Sequence, residues 1–352
     1  MSKNIVMSSR TLILMPFLLL VAYLASTAAQ IPTGCPESCG GGSSVKIEYP
    51  FGIGVECSRR GFTVTCHGSN PMLAGNTTDV PLSNLSITTM EASVLLPVAW
   101  ECYNATAENR AGISEWSSAD VQFNRDGVYR VSATHNQLVV VGCNTVGYTK
   151  SQRAEGGRYS YAYATGCMSY CNDSASVAAA AADGACAGVG CCRVDIPRGI
   201  TDNSMSFTNY DHYTGGMAEF SPCDYAFFVD RKNYTFRAGD LRMDRDRRMP
   251  VSLDWAIRDY PTCEEAKAQP GYACVSNNSQ CLNSTNGPGY ICNCSRGYRG
   301  NPYLRGPGKE CEGKLFIFSV LFFTPSMGTE LIEGVISNNQ LYLWFQERKT
   351  RH

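Results

Sequence analysis

The sequence predicts a mainly β, disulfide-rich protein, with a β-rich, cysteine-stapled N-terminal domain followed by a small cysteine-framed module. Three observations predict it. Eighteen cysteines all lie between Cys35 and Cys311, an even count that allows up to nine bridges in an oxidising compartment. Phe62–Cys66, Leu85–Leu96, Tyr129–Cys143 and Arg158–Ala164 mix β-branched or aromatic residues with polar ones at near period two. The last six cysteines (Cys263, Cys274, Cys281, Cys292, Cys294, Cys311) crowd a segment poor in apolar residues, which needs staples to offset its chain entropy.

Net charge is -1 and 44% of the residues are hydrophobic, so the chain is globular and charge alone names no partner. The close pairs Cys35/Cys39, Cys167/Cys171 and Cys292/Cys294 lack the repeated CxxC or paired histidines of zinc sites.

Taken in order, residues 1–29 read as a secretory signal peptide. Lys3 and Arg10 precede the apolar run Leu12–Leu24, and Ser26, Thr27, Ala28 and Ala29 offer a cleavage site after Ala28 or Ala29. Broken by Pro16, the run falls short of the ~20 residues that span a bilayer. The expectation is a secreted, extracellular protein with no membrane span after cleavage and no nucleic-acid partner.

Residues 30–257 form the larger domain. Turn residues at Asn124–Gly127 and His135-Asn136 separate its strands. One helix is expected over Ser174–Ala182, alanine-rich, with caps available at Asn172, Asp173 or Ser174 and a stop at Gly184. Cys191 and Cys192 are neighbours, with Cα atoms ~3.8 Å apart, below the roughly 4.4–6.8 Å of a bridge. They must take different partners, and in an extended segment their side chains face opposite ways. This site is expected to staple two layers.

Residues 258–313 form the small module, with turns at Gly287, Pro288, Gly289, Gly297, Gly300 and Pro302. Residues 314–352 are expected to be a divergent, poorly ordered tail. Its run Leu315–Phe323, broken by Thr324-Pro325, is too short for a helix to cross ~30 Å of hydrocarbon.

The spacing of the last six cysteines resembles an epidermal-growth-factor-like module. Six cysteines allow 15 pairings; the resemblance implies Cys263 with Cys281, Cys274 with Cys292, and Cys294 with Cys311. Ahead of it stand Gly34-Cys-Pro-Glu-Ser-Cys-Gly40, Tyr49-Pro-Phe-Gly-Ile-Gly54, Gly142-Cys-Asn-Thr145, Gly166-Cys167 with Cys171, Gly188-Val-Gly-Cys-Cys192, Ile196-Pro197, Cys223-Asp-Tyr-Ala-Phe227 and Leu253-Asp-Trp-Ala256. With Gly297-Tyr-Arg-Gly-Asn-Pro-Tyr-Leu304, this ordered set resembles the extracellular portion of plant wall-associated receptor kinases. The resemblance implies a galacturonan-binding domain joined to the growth-factor-like module. It stops after Cys311, and no second module, membrane helix or kinase motif follows in this sequence.

For function, the expectation is binding of acidic polysaccharide, pectin or galacturonan, in cell-wall sensing or as a soluble competitor. Arginine and lysine are the residues that hold carboxylates. Lys46, Arg59 and Arg60 flank the Tyr-Pro-Phe-Gly-Ile-Gly stretch. A denser cluster contains Arg231, Lys232, Arg237, Arg242, Arg245, Arg247 and Arg248 against Asp240, Asp244 and Asp246. The competing reading for each is a solvated face with local ion pairs. Trp100, Tyr103 and Trp116 offer rings for sugar stacking, against core packing beside Cys102. Asn76, Asn84, Asn104, Asn172, Asn233, Asn277 and Asn283 are glycosylation sequons; an eighth, Asn293, has Cys294 at its centre.

No enzyme is expected. Four histidines form no His-Glu-x-x-His, no Gly-x-Ser-x-Gly elbow occurs, and Glu264-Glu265 read as solvated side chains rather than a glycosidase pair. No cofactor or dedicated calcium site is expected, since Arg258–Thr262 lacks the acidic run that calcium-binding versions of the resembled module place before the first cysteine. Two alternatives stand beside the polysaccharide reading: a protein-binding ectodomain or co-receptor fragment contacting full-length receptor kinases or wall proteins, and a wall-acting hydrolase.

Overall fold

The structure is a computed structural model that describes residues 34–73, 79–104, 112–123, 127–151, 163–209, 217–313, 316–324, 328–337 and 340–346. The signal-peptide reading, the turn residues Asn124–Asp126 and Arg158–Ala162 lie outside the described residues.

Two sheets carry the N-terminal domain. The first has seven strands, in the order Gly52–Ile53, Thr63–His67, Asn70–Leu73, Val80–Ser86, Glu91–Pro97, Arg248–Trp255 and Tyr129–Val131. The second has five: Cys191–Asp195, Asn136–Val141, Cys223–Asp230, Ala99–Asn104 and Gly112–Ser117. Tyr163–Ser169, Thr145–Ser151 and Ser206–Asn209 make a smaller third sheet.

The two central strands of the second sheet are buried on both faces, which their sequence explains. In Asn136–Val141 and Cys223–Asp230, apolar residues run without the polar alternation of a one-sided strand. Leu138, Val140, Ala226 and Phe228 enter one core with Val94, Leu96 and Leu253 of the first sheet. Val139, Val141, Phe227 and Val229 face a second core with Val177, Phe236 and Leu241. Each fully buried side chain of this kind contributes ~1.5–3 kcal/mol.

Asn136 joins the two sheets. Its Nδ2 donates to the Ser132 and Ser252 carbonyls at 2.8 and 2.7 Å, and its Oδ1 accepts from Ser252 N at 2.9 Å.

The helix spans Ser174–Ala182, with Asp173 the cap: its Oδ1 accepts from Ser176 N at 2.7 Å, and Asp173 N donates to Ser176 Oγ. All nine bridges are present, including the three that the growth-factor-like resemblance implies. Cys191 pairs with Cys186 and Cys192 with Cys167. Cys192 lies in the first core and Cys191 in the second, so the adjacent pair does tie two layers.

Two expectations are corrected. Leu85–Leu96 is two strands, Val80–Ser86 and Glu91–Pro97, because a turn ends at Met90 in the left-handed region (φ 62°). Asn136 is buried in a strand rather than exposed in a turn, since the sheet carbonyls it bonds hold it there. Beyond the module, Phe316–Thr324, Gly328–Ser337 and Gln340–Gln346 pair as a three-stranded antiparallel sheet. No helix among the described residues is long and apolar enough to cross a membrane.

Candidate polysaccharide-binding surface

Three of the sequence motifs, Tyr49–Gly54, Leu253–Ala256 and Gly297–Leu304, converge on the junction between the sheets and the 258–313 module. Trp255 is fully buried there, edge-on to Phe51 (5.1 Å) and Phe62 (5.7 Å) and 6.0 Å from Tyr303. Asn301 of Gly297–Leu304 donates from Nδ2 to the Tyr49 carbonyl at 2.6 Å. Gly300 is needed because a Cβ would meet the Glu310 carbonyl oxygen at 2.0 Å, and Gly52 because one would meet the Cys57 carbonyl oxygen at 2.1 Å.

A second asparagine locks the module down. Asn286, buried, donates from Nδ2 to the Val131 carbonyl (3.0 Å) and Asp254 Oδ2 (2.8 Å), while its Oδ1 accepts from Gly199 N (2.7 Å). Arg258, also buried, donates to the carbonyls of Val128, Asn286 and Pro288. Tyr290, Cys292, Cys274 and Tyr303 belong to the same apolar core as the first sheet.

The expected binding arginines divide into engaged and open. Arg59 is spent at the junction: its Nη2 lies 2.6 Å from Asp259 Oδ2 and 2.8 Å from the Gly271 carbonyl, with the side chain 17% exposed. Lys46 pairs with Glu48 at 2.7 Å, and this contact raises its pKa. Arg245 pairs with Glu115 and lies 4.7 Å over the Trp100 ring; Arg247 pairs with Asp240 at 3.2 Å. Arg242 donates to the Glu219 carbonyl and Arg248 to that of Leu95, and both stay exposed. Arg60 is exposed and makes no ion pair among the described residues. The structure thus does not gather the seven into one patch of free cations.

The three aromatic candidates also separate. Tyr103 is buried, and its hydroxyl sits 2.8 Å from Asp224 Oδ2 and 3.0 Å from Glu101 Oε1. One O–H cannot serve two carboxylates. Burial, opposed by the Tyr103 contact, pushes the Asp224 carboxyl up to about 7, so it gains a proton of its own as pH falls below neutrality. Trp100 pairs across the sheet with Ser117, and Trp116 with Glu101, which puts the two rings on opposite faces. Trp116 is 68% exposed.

Of the sequons, Asn84, Asn172, Asn233, Asn277 and Asn283 are exposed, Asn104 ends a strand, and Asn76 lies outside the described residues. Glu264 and Glu265 are exposed in the first turn of the Cys263–Lys267 helix, capped by Thr262. Sequence reasoning missed Asn286 and Arg258. An asparagine followed by Gly287-Pro288 reads as a turn, and nothing local announces its partners.

Comparison with known proteins gives the family. Residues 35–95 match the wall-associated receptor kinase galacturonan-binding family. The chain is 33% identical over 299 residues to wall-associated receptor kinase 2 of Arabidopsis thaliana, covering 82% of this chain and 36% of that protein. Wall-associated receptor kinase 1 of the same plant is 30% identical over 295 residues, again 82% and 36%, and kinase 3 is 33% identical over 316 residues, 82% and 38%. The chain therefore spans little more than a third of these relatives' length. No solved structure matches. Residues 35–95 are a domain of the wall-associated receptor kinase galacturonan-binding family, and the chain is related to those kinases over four-fifths of its length.

Proposed function

We propose that the chain binds an acidic wall polysaccharide of the galacturonan type at the cell exterior, by equilibrium binding rather than catalysis. The family match over residues 35–95 carries this reading. Within those residues the only lysine and arginine side chains are Lys46, Arg59 and Arg60. Two are engaged by Glu48 and Asp259, which leaves Arg60 as the side chain in that domain with its donors turned to solvent. Arg242 and Arg248 hold carbonyls rather than carboxylates, so they keep their charge for a polyanion. A soluble copy would compete with full-length receptors for the polysaccharide.

The test is binding of de-esterified oligogalacturonide to the secreted, fully oxidised protein, with a neutral glucan control and a salt series. Saturable binding that weakens as salt screens exposed charge is expected. Arg60→Glu should lower affinity several-fold, and Lys46→Ala less. Absence of binding by correctly bridged protein rejects the reading.

A second reading rests on a separate observation. Met168, Tyr170 and Val189 are exposed, and Tyr170 and Val189 are bridged neighbours beside an edge strand. Such a patch favours a protein partner, whose binding would be insensitive to salt.

A further inference from the structure

The candidates outside this surface are the exposed Met168–Tyr170–Val189 patch, the buried Asp224 network, and a three-residue cluster on the first sheet; the cluster carries an inference. Glu91 and Asp254 stand directly opposite each other on adjacent strands, which puts their side chains on one face. His135 comes over them from the turn after Tyr129–Val131. One ligand atom from each of the three lies within 4.8 Å of the others, and all three residues are half-buried. Among the described residues this is the one such group.

We propose that Glu91, His135 and Asp254 form a site for a divalent transition-metal cation of the zinc type. One imidazole nitrogen with two carboxylates is a donor set for such an ion. Calcium takes oxygen ligands throughout, so the histidine selects against it. The geometry agrees on the contact that can be checked. His135 Nδ1 lies 3.3 Å from Glu91 Oε1; ligands ~2.0–2.1 Å from a tetrahedral zinc are roughly 3.3–3.4 Å apart.

The surroundings hold the ligands in place. Asn286 Nδ2 donates to Asp254 Oδ2 at 2.8 Å, the kind of support that orients a ligating carboxylate. Ser132 and Thr134 hydroxyls lie 3.2 and 3.3 Å from His135 Nδ1, and a cation would take that nitrogen from them. The one cation in the same cross-strand row, Arg130, has its Nη1 on the carbonyls of Gly127 and Tyr129. Because Asp254 also holds Asn286, metal at this site would brace the junction of sheet and module.

The test is calorimetric titration of tag-free, fully oxidised protein with zinc chloride, with calcium chloride as control, and thermal unfolding with and without zinc. One equivalent of zinc should bind, and zinc should raise the melting temperature. Glu91→Gln and His135→Ala should each weaken binding at least tenfold and abolish the shift, while His67→Ala should leave both intact. Glu91→Gln keeps side-chain volume at a half-buried position, so it reads ligation rather than folding. Absence of a one-equivalent event, equal response to calcium, or binding unchanged in Glu91→Gln and His135→Ala overturns the proposal.

Discussion

The sheets of residues 34–257 and the module of residues 258–313 reach stability by different routes. The central strand Asn136–Val141 is buried at every position, with a core on either side. The module has two short two-stranded sheets and three bridges closing loops of 17 or 18 residues. Loops of that size stabilise by about 3 kcal/mol per bridge, on the chain-entropy view. The module also borrows burial, because Tyr290, Cys292 and Tyr303 sit in the first sheet's core. The module therefore leans on its staples and a neighbour's core, whereas the sheets, which carry the other six bridges, add two large apolar interiors.

The sharpest way to break this contrast is to remove Cys274–Cys292 by alanine substitution at both positions. About 3–5 kcal/mol should be lost. Hydrogen exchange should show module amides opening while Asn136–Val141 stays protected; equal loss in both would make them one cooperative unit. Asn286→Ala should cost ~2–4 kcal/mol in a denaturant titration, because Gly199 N and the Val131 carbonyl lose their partner. The module's bridges would survive that change, so its exchange should rise without reduction.

Arg59→Ala should cost only about 1 kcal/mol, since Asp259 is half-exposed, and should reduce oligogalacturonide affinity less than Arg60→Glu. The reverse ranking would return Arg59 to the binding surface. A further effect is a pH slope inside the sheets. Asp224 binds its proton more tightly folded than unfolded, so its contribution is full below the unfolded value of ~3.9 and is lost as pH rises toward about 7. Urea midpoints should fall over that window, and Asp224→Asn should flatten the fall.

Part of the cysteine framework was legible because its rules are local, whereas the pairing of the other twelve cysteines was not: Cys102 and Cys223 are 121 residues apart. Adjacent cysteines cannot pair with each other, and the spacing of the last six matches a known module. The helix was equally local, fixed by Asp173 and Gly184. The engaged arginines were not legible, because their partners are distant in sequence: Asp259 is 200 residues from Arg59, and Glu115 is 130 from Arg245. Asn286 was missed for the same reason; its three partners come from three different strands or loops. The Leu85–Leu96 segment misled because a single left-handed Met90 leaves no Gly or Pro as a marker.

The neighbouring Cys191 and Cys192 have a consequence for assembly. Each is the other's nearest competitor in disulfide exchange, and a swap of partners needs only a slip of one residue. That slip would turn Val194 and its strand neighbours to the wrong face of Asn136–Val141. The hydrophobic register of the sheet thus serves as the proofreader of the bridges, rejecting by misplaced side chains a pairing that sulfur chemistry alone would accept.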